Sequence, residues 1–146
     1  MSVLVDTNIL LYSANPASPE HRAARAEIER LRRGMSPWFL TWGIVYEFLR
    51  VATHPAVFQR PLPVRSAALF VKRLMESPSL EVLRETDRHL SFFEEEINAT
   101  PGISGNDLHD THVVVLMREH NLRTILTADR GFQRFRNIDV INPVRG

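Results

Sequence analysis

Cysteine is absent from the 146 residues, so neither a disulfide framework nor a thiolate zinc site can form. Neither is needed, because a chain of this length buries roughly two thirds of the surface its unfolded form exposes. The lack of cysteine also fits a reducing cytosol. Long apolar runs are missing: no window approaches the about 20 residues that a membrane helix requires. The opening Met1-Ser2-Val3-Leu4-Val5-Asp6 has neither the basic segment nor the apolar stretch of a signal peptide. A cytoplasmic protein with no membrane association is therefore expected. Low-complexity tracts, internal repeats and linkers are also lacking, which points to one domain of ordinary size.

Lysine is nearly absent, with Lys72 the only one. The cations are arginines, and they cluster between 22 and 33 and between 130 and 136. Guanidinium forks suit phosphate as well as carboxylate, although a solvated arginine-rich surface has the same composition. The net charge of +1 is too small to decide a partner, while 44% hydrophobic residues is enough for a core.

Val3-Leu4-Val5 reads as a short buried strand that ends at polar Asp6-Thr7-Asn8. A helix opens over 9–13 and stops at the breaker cluster Asn15-Pro16-Ala17-Ser18-Pro19. The next helix, 19–33, offers Ala23, Ala26 and Leu31 as a narrow apolar stripe, with Gly34 as its stop. Phe39 and Leu40 suggest a strand, 43–52 a helix, and 54–63, with three prolines, irregular chain. Helical period returns over 64–75, followed by a short strand over 80–83. A helix over 87–97 takes Thr86 as its N-cap. The clearest helix spans 106–120, and strands over 124–127 and 140–141 close the chain. Short strands alternating with helices predict an α/β fold, a three-layer α/β/α sandwich around a short-stranded parallel sheet. Ligands of such folds bind outside the carboxyl ends of the strands, where Asp6 and Asp129 fall.

Four acids leave elements of the expected core. Asp6 follows three apolar residues, and a carboxylate at a central strand tip loses hydration at a cost of several kcal/mol, about 2–7 for a polar group left without partners. It also suits an N-cap. Asp110 shares a helix face with Val113, Val114 and Met117, the face that should be buried. Asp107 lies one turn earlier; a pair of acids there repels unless a cation intervenes. Ser104 and Asp107 also resemble a capping box, which gives Asp107 another role. The helix-face argument favours Asp110. Glu47 sits among Ile44, Phe48 and Val51, and Asp129 ends the strand that contains Thr127. Oxygen ligands of this kind suit Mg²⁺ or Mn²⁺, and the absence of a His or Cys ligand set argues against zinc. Two such ions can activate water and stabilise both oxygens of a phosphodiester displacement. The reading is a metal-dependent nuclease.

The same segments carry a family resemblance. Val3-Leu4-Val5-Asp6-Thr7-Asn8-Ile9-Leu10 resembles the opening of a PIN domain. Val45-Tyr46-Glu47-Phe48-Leu49 is similar to the family's helical acid, and Asn106-Asp107-Leu108-His109-Asp110-Thr111-His112 to its third acid, at Asp110. Thr124-Ile125-Leu126-Thr127-Ala128-Asp129-Arg130-Gly131-Phe132 resembles the family's Thr-x-Asp-x-x-Phe signature. More narrowly, these motifs and Arg50-Val51-Ala52-Thr53-His54-Pro55 are similar to VapC, the toxin half of VapBC toxin–antitoxin pairs. The resemblance implies a single PIN-like nuclease domain over 1–146 acting as an endoribonuclease with Mg²⁺ or Mn²⁺. Asp6, Glu47, Asp110 and Asp129 would be catalytic; Asp6, Asp110, Asp129 and less firmly Asp107 would bind metal. Thr7, Asn8 and Thr127 would be supporting polar groups. A homodimer inhibited by a VapB-type antitoxin is implied, with RNA as substrate. Many relatives carry a further Asp where this chain has Gly131, so a second ion would be held weakly or only with RNA.

His109 and His112 straddle the helix and read as surface or packing residues. Trp38, Trp42, Phe39, Phe92 and Phe93 read as core or interface and are given no base-stacking role. Arg130 and Arg134 are candidates for RNA phosphate contacts, with Arg136 beside them. Two other readings compete. A haloacid dehalogenase phosphatase also begins with a strand ending in Asp, but its second acid would fall at Asn8. A non-catalytic PIN-like RNA-binding or scaffolding module does not require all four acids.

Overall fold

The computed structural model describes residues 1–145. Five parallel strands, β1 (Val3–Val5), β2 (Trp38–Thr41), β3 (Leu80–Leu83), β4 (Thr124–Leu126) and β5 (Asp139–Ile141), form one sheet in the order β3-β2-β1-β4-β5. Among the described residues six helices flank it: α1 (Thr7–Ala14), α2 (His21–Arg33), α3 (Trp42–Ala52), α4 (Val64–Met75), α5 (His89–Ala99) and α6 (Asp107–Glu119). The α/β sandwich expected from the alternation of elements is the architecture found.

Strand order explains the layers. The chain steps outward from β1 to β2 to β3, then returns to the other side of β1 for β4 and β5. Right-handed crossovers place the helices of the outward steps on one face and those of the return on the other. Accordingly α1 packs on α2 and α3, and α3 on α4, while α5 packs on α6. The gap between β1 and β4 is the point where the connections diverge, and such switch points open a crevice at the carboxyl ends of the strands.

β1 and β4 bury every residue, as continuous apolar strands covered on both faces must. The core continues into Trp38, Leu40, Ile44, Phe48, Met117, Phe132 and Phe135. Trp38 is thus a core residue, its indole N–H donating to Ser77 Oγ at 3.3 Å. No helix among the described residues is long and apolar enough to cross a membrane.

Three local expectations need correction. α2 begins at His21 rather than Pro19, because the His21 N–H bonds to the Ser18 carbonyl in a preceding turn. Its buried stripe is Ala24, Ile28 and Leu31, whereas Ala23 and Ala26 are exposed. Burying Ile28 removes far more apolar area than burying an alanine, so Ile28 sets the helix rotation. α5 begins at His89, two residues later than expected; Thr86 Oγ1 accepts from the Arg88 N–H at 3.2 Å in the turn that leads into it, and the same hydroxyl donates to Glu119 at 2.7 Å. A short 3-10 helix, Arg130–Arg134, was not anticipated; Asp129 caps it by accepting from the Gly131 N–H at 2.8 Å.

Candidate active site

Two strand ends and one helix build the centre of the site. The β1–β4 register pairs Val5 with Leu126, and the Asp6 N–H donates to the Leu126 carbonyl at 3.0 Å. The residues that follow, Asp6 and Thr127, therefore emerge side by side at the switch point. Asp6 is 6% exposed. Its carboxylate caps α1 through the Thr7 N–H (2.8 Å) and accepts from Thr127 Oγ1 (2.7 Å) and Asn8 Nδ2 (3.4 Å). Both the capping role and the costly-carboxylate role anticipated for Asp6 thus coexist in one side chain.

Thr127 and Asn8 tie the two strand ends together. Thr127 Oγ1 accepts from the Asp129 N–H at 3.0 Å and from Asn8 Nδ2 at 3.1 Å, and Asn8 Oδ1 accepts from the Ala128 N–H at 3.1 Å. These bonds fix where Asp129 leaves the sheet. Asp129 itself is exposed, with Oδ1 held by the 3-10 helix. Thr7 Oγ1 is buried and has no hydrogen-bond partner among the described residues, directly beside Asp6. A buried hydroxyl without a partner is costly, which fits a place beside Asp6 that takes a ligand.

Asp110 comes from the first turns of α6, with Val113, Val114 and Met117 buried on its face. Burial pushes its carboxyl up to about 6, helped by the charges of Asp6 and Asp129, while His109 and Arg134 oppose the rise. Asp6 is also raised, first by burial, against the bonds from Thr127 and Thr7. The charges of Asp6 and Asp129 thus hold the Asp110 carboxyl up, and that of Asp129 acts the same way on Asp6, an arrangement that a cation beside them relieves. Carboxylate, hydroxyl and amide oxygens make up most of the donor set, with the His109 imidazole at its edge, and such a set fits a hard divalent ion of the Mg²⁺ or Mn²⁺ kind.

The remaining candidates stand further out. Glu47 on α3 is half-buried and pairs with Arg50 at 2.6 Å; that bond holds its carboxyl below the usual range. It is linked to the aspartates through His109, whose charge acts on Glu47, Asp6 and Asp110 alike. His109 is the residue the sequence reading passed over. Its only signal was its place next to Asp110. Asp107 accepts from the Ser104 N–H at 3.2 Å and pairs with Arg134 at 3.1 Å, so it serves the start of α6. Arg134 is thereby engaged, and its guanidinium also lies 5.0 Å over the Phe135 ring. Arg130 is exposed and lines, with Thr127, Asp129, Asn142 and Arg145, a small depression beside the acids. Gly131 faces Asp129: a Cβ there would lie 3.1 Å from Asp129 Oδ1.

The chain as a whole has known counterparts. The family pattern described as PIN domain matches residues 3–138. Ribonuclease VapC48 of Mycobacterium tuberculosis is 30% identical over 146 residues, all of both chains. Ribonuclease VapC43 of the same species is 34% identical over 142 residues, 97% of this chain and 95% of that one. Among solved structures, VapBC2 from Rickettsia felis bound to a promoter DNA fragment superposes with a TM-score of 0.69, at 16% identity, over 97% of this chain and 98% of that one. The chain belongs to the PIN domain family, among its VapC ribonucleases.

Proposed function

We propose that this protein is a divalent-metal-dependent endoribonuclease, the toxin of a type II toxin–antitoxin pair that inhibits translation by cutting RNA. What supports the reading is the pairing of the β1 and β4 ends, where Thr127 Oγ1 donates to Asp6 at 2.7 Å and accepts from the Asp129 N–H at 3.0 Å, with the Asp110 carboxyl raised first by burial and then by the charges of Asp6 and Asp129. The relatives named as VapC ribonucleases support the substrate class and a cognate VapB-type antitoxin. A homodimer is part of the same proposal.

Asp6, Asp110 and Asp129 would hold Mg²⁺ or Mn²⁺, with Asp107 outside the set because Arg134 and Ser104 occupy it. A bound ion supplies the positive charge that activates water and offsets charge building on the phosphate. The protein's own groups do the rest. Thr127 and Asn8 orient the Asp6 carboxylate, and Thr127 holds the Asp129 backbone N–H. Glu47, ionised through Arg50, stands at the edge of the cluster to position water or receive a proton. Arg130, free of any ion pair among the described residues, is placed to meet an RNA phosphate, and Arg134 can do so on leaving Asp107. Single-stranded or looped RNA is the expected target, since bases and backbone there are open to a shallow rim.

The test is RNA cleavage with Mn²⁺, with EDTA, and by Asp6→Ala. Cleavage by wild type with Mn²⁺ alone is expected. Cleavage that persists in EDTA and in Asp6→Ala would sink the reading.

A further inference from the structure

A second group of metal-binding side chains lies on the opposite side of α6 from Asp110. Residues 110 and 112 are two apart on one helix, which turns them about 200° from each other. His112 therefore faces α5 while Asp110 faces the switch point. There it meets Glu85, from the loop after β3, and His89, from the first turn of α5. One ligand atom from each of Glu85, His89 and His112 lies within 4.8 Å of the others. His112 Nε2 is 3.0 Å from Glu85 Oε2, and the two imidazole rings stand edge to face with centroids 5.4 Å apart.

A fourth residue orients the group. The Glu119 side chain is fully covered and its Oε2 lies 2.6 Å from His89 Nδ1. Its other oxygen accepts from both the N–H and the hydroxyl of Thr86, at 2.9 and 2.7 Å. A covered carboxylate on one ring nitrogen fixes the tautomer and leaves Nε2 as the binding atom, which is how ligand histidines of metal sites are held. The cluster also sits where the fold needs a tie. α5 buries no apolar residue; its one buried side chain is Glu96, paired with Arg118 of α6 at 2.7 Å. Polar links thus run along this seam, beside half-buried Phe92 and Phe93.

We propose that Glu85, His89 and His112 form a second metal site, distinct from the aspartate cluster, that takes a borderline transition-metal ion of the zinc class and clamps α5 to α6. Two imidazoles and one carboxylate select such an ion over magnesium, whose ligands are oxygens. Bonds of about 2.0–2.2 Å in a tetrahedron hold ligand atoms about 3.3 Å apart. The His112–Glu85 pair is already near that separation, and rotation of exposed Glu85 and half-exposed His89 closes the rest. Water would fill the fourth position.

The experiment uses untagged, EDTA-treated protein, with thermal melting and calorimetric titration against zinc chloride and magnesium chloride. Wild type, His89→Gln/His112→Gln, Glu85→Gln and Asp110→Asn are compared. Zinc near a hundredfold above its dissociation constant is expected to raise wild-type melting by on the order of 5 °C. Asp110→Asn keeps that shift, the double histidine variant loses it, and Glu85→Gln binds zinc at least about tenfold more weakly, as losing a ligand requires. Should the double variant fail to fold, exposed Glu85→Gln still decides the matter. No zinc shift in wild type, or one that survives in Glu85→Gln and vanishes in Asp110→Asn, would overturn the proposal.

Discussion

Thr127 Oγ1 donates to Asp6 Oδ2 at 2.7 Å, joining two residues that lie 121 positions apart. The same hydroxyl accepts from the Asp129 N–H, so one side-chain oxygen binds the Asp6 carboxylate and fixes the backbone from which Asp129 leaves the sheet. It can do this because β1 and β4 run in parallel register to their last residues, Val5 and Leu126. Everything proposed for the site depends on that alignment.

Thr127→Val tests it. Valine keeps the shape and removes the hydroxyl, leaving the Asp129 N–H without its partner and Asp6 Oδ2 with only the 3.4 Å bond from Asn8. A loss of about 1–3 kcal/mol in denaturant unfolding is expected, as for a buried polar group stripped of its bond. Cleavage should fall by about 10- to 100-fold, the usual cost of losing a group that orients a ligand. A variant as active as wild type would remove Thr127 from the account.

Asp110 sets the pH dependence. Its folded value of about 6 lies above the ordinary 3.8. Between those two values the folded chain keeps a proton that the unfolded chain has released. Stability of the metal-free protein therefore falls as pH rises through that window. Asp110→Asn should flatten this slope and stabilise the metal-free protein at neutral pH. After discounting for the solvent exposure of Asp110, the gain is about 1 kcal/mol. Added Mn²⁺ should stabilise wild type at pH 7 and leave Asp110→Asn unchanged. Cleavage should climb as pH passes 6, since only the ionised carboxylate binds a cation. Urea unfolding at pH 4.5 and 7, with and without Mn²⁺, checks each sign.

Asp107 and Asp110 sit one turn apart and separate cleanly. Asp107 is held by Ser104 and Arg134, outside the carboxylates that act on Asp110. Asp107→Ala should keep metal-dependent cleavage within about threefold of wild type, the size of a surface perturbation. Asp110→Ala should abolish it. Equal losses in a single-turnover assay would return Asp107 to the metal set.

Much of this was readable from the chain because the strongest signals are local. Three apolar residues before Asp6, and buried valines three and four positions after Asp110, are patterns that periodicity alone exposes. The failures have a different cause. Ala23 and Ala26 looked like a buried stripe, but the tertiary packing of Ile28 turned α2 away from them. His109 drew no functional reading because its neighbours, Asp6 and Glu47, come from distant segments. Glu85, His89 and His112 are joined only by the docking of α5 on α6. The buried pair of Glu96 with Arg118 escaped notice for the same reason.

Gly131 gives a prediction in the direction of gain. A Cβ at this position would lie 3.1 Å from Asp129 Oδ1, so Asp129 must yield by a few tenths of an ångström. Asp129 is exposed and can do so. Gly131→Asp adds a carboxylate at the rim and should tighten Mn²⁺ binding by about tenfold or more, each added ligand charge strengthening a hard-ion site. Titration calorimetry reads the change directly. Unchanged or weaker binding would mean that the added acid points away from the cluster.

The most direct test of the central claim is anomalous diffraction from crystals soaked in Mn²⁺ at pH 7.5. The account predicts a peak bonded to carboxylate oxygens of Asp6 and Asp110 and close to Asp129, and its loss in Asp110→Asn crystals. A fully ordered site with no peak there, or a peak bonded to Asp107 instead, would contradict it.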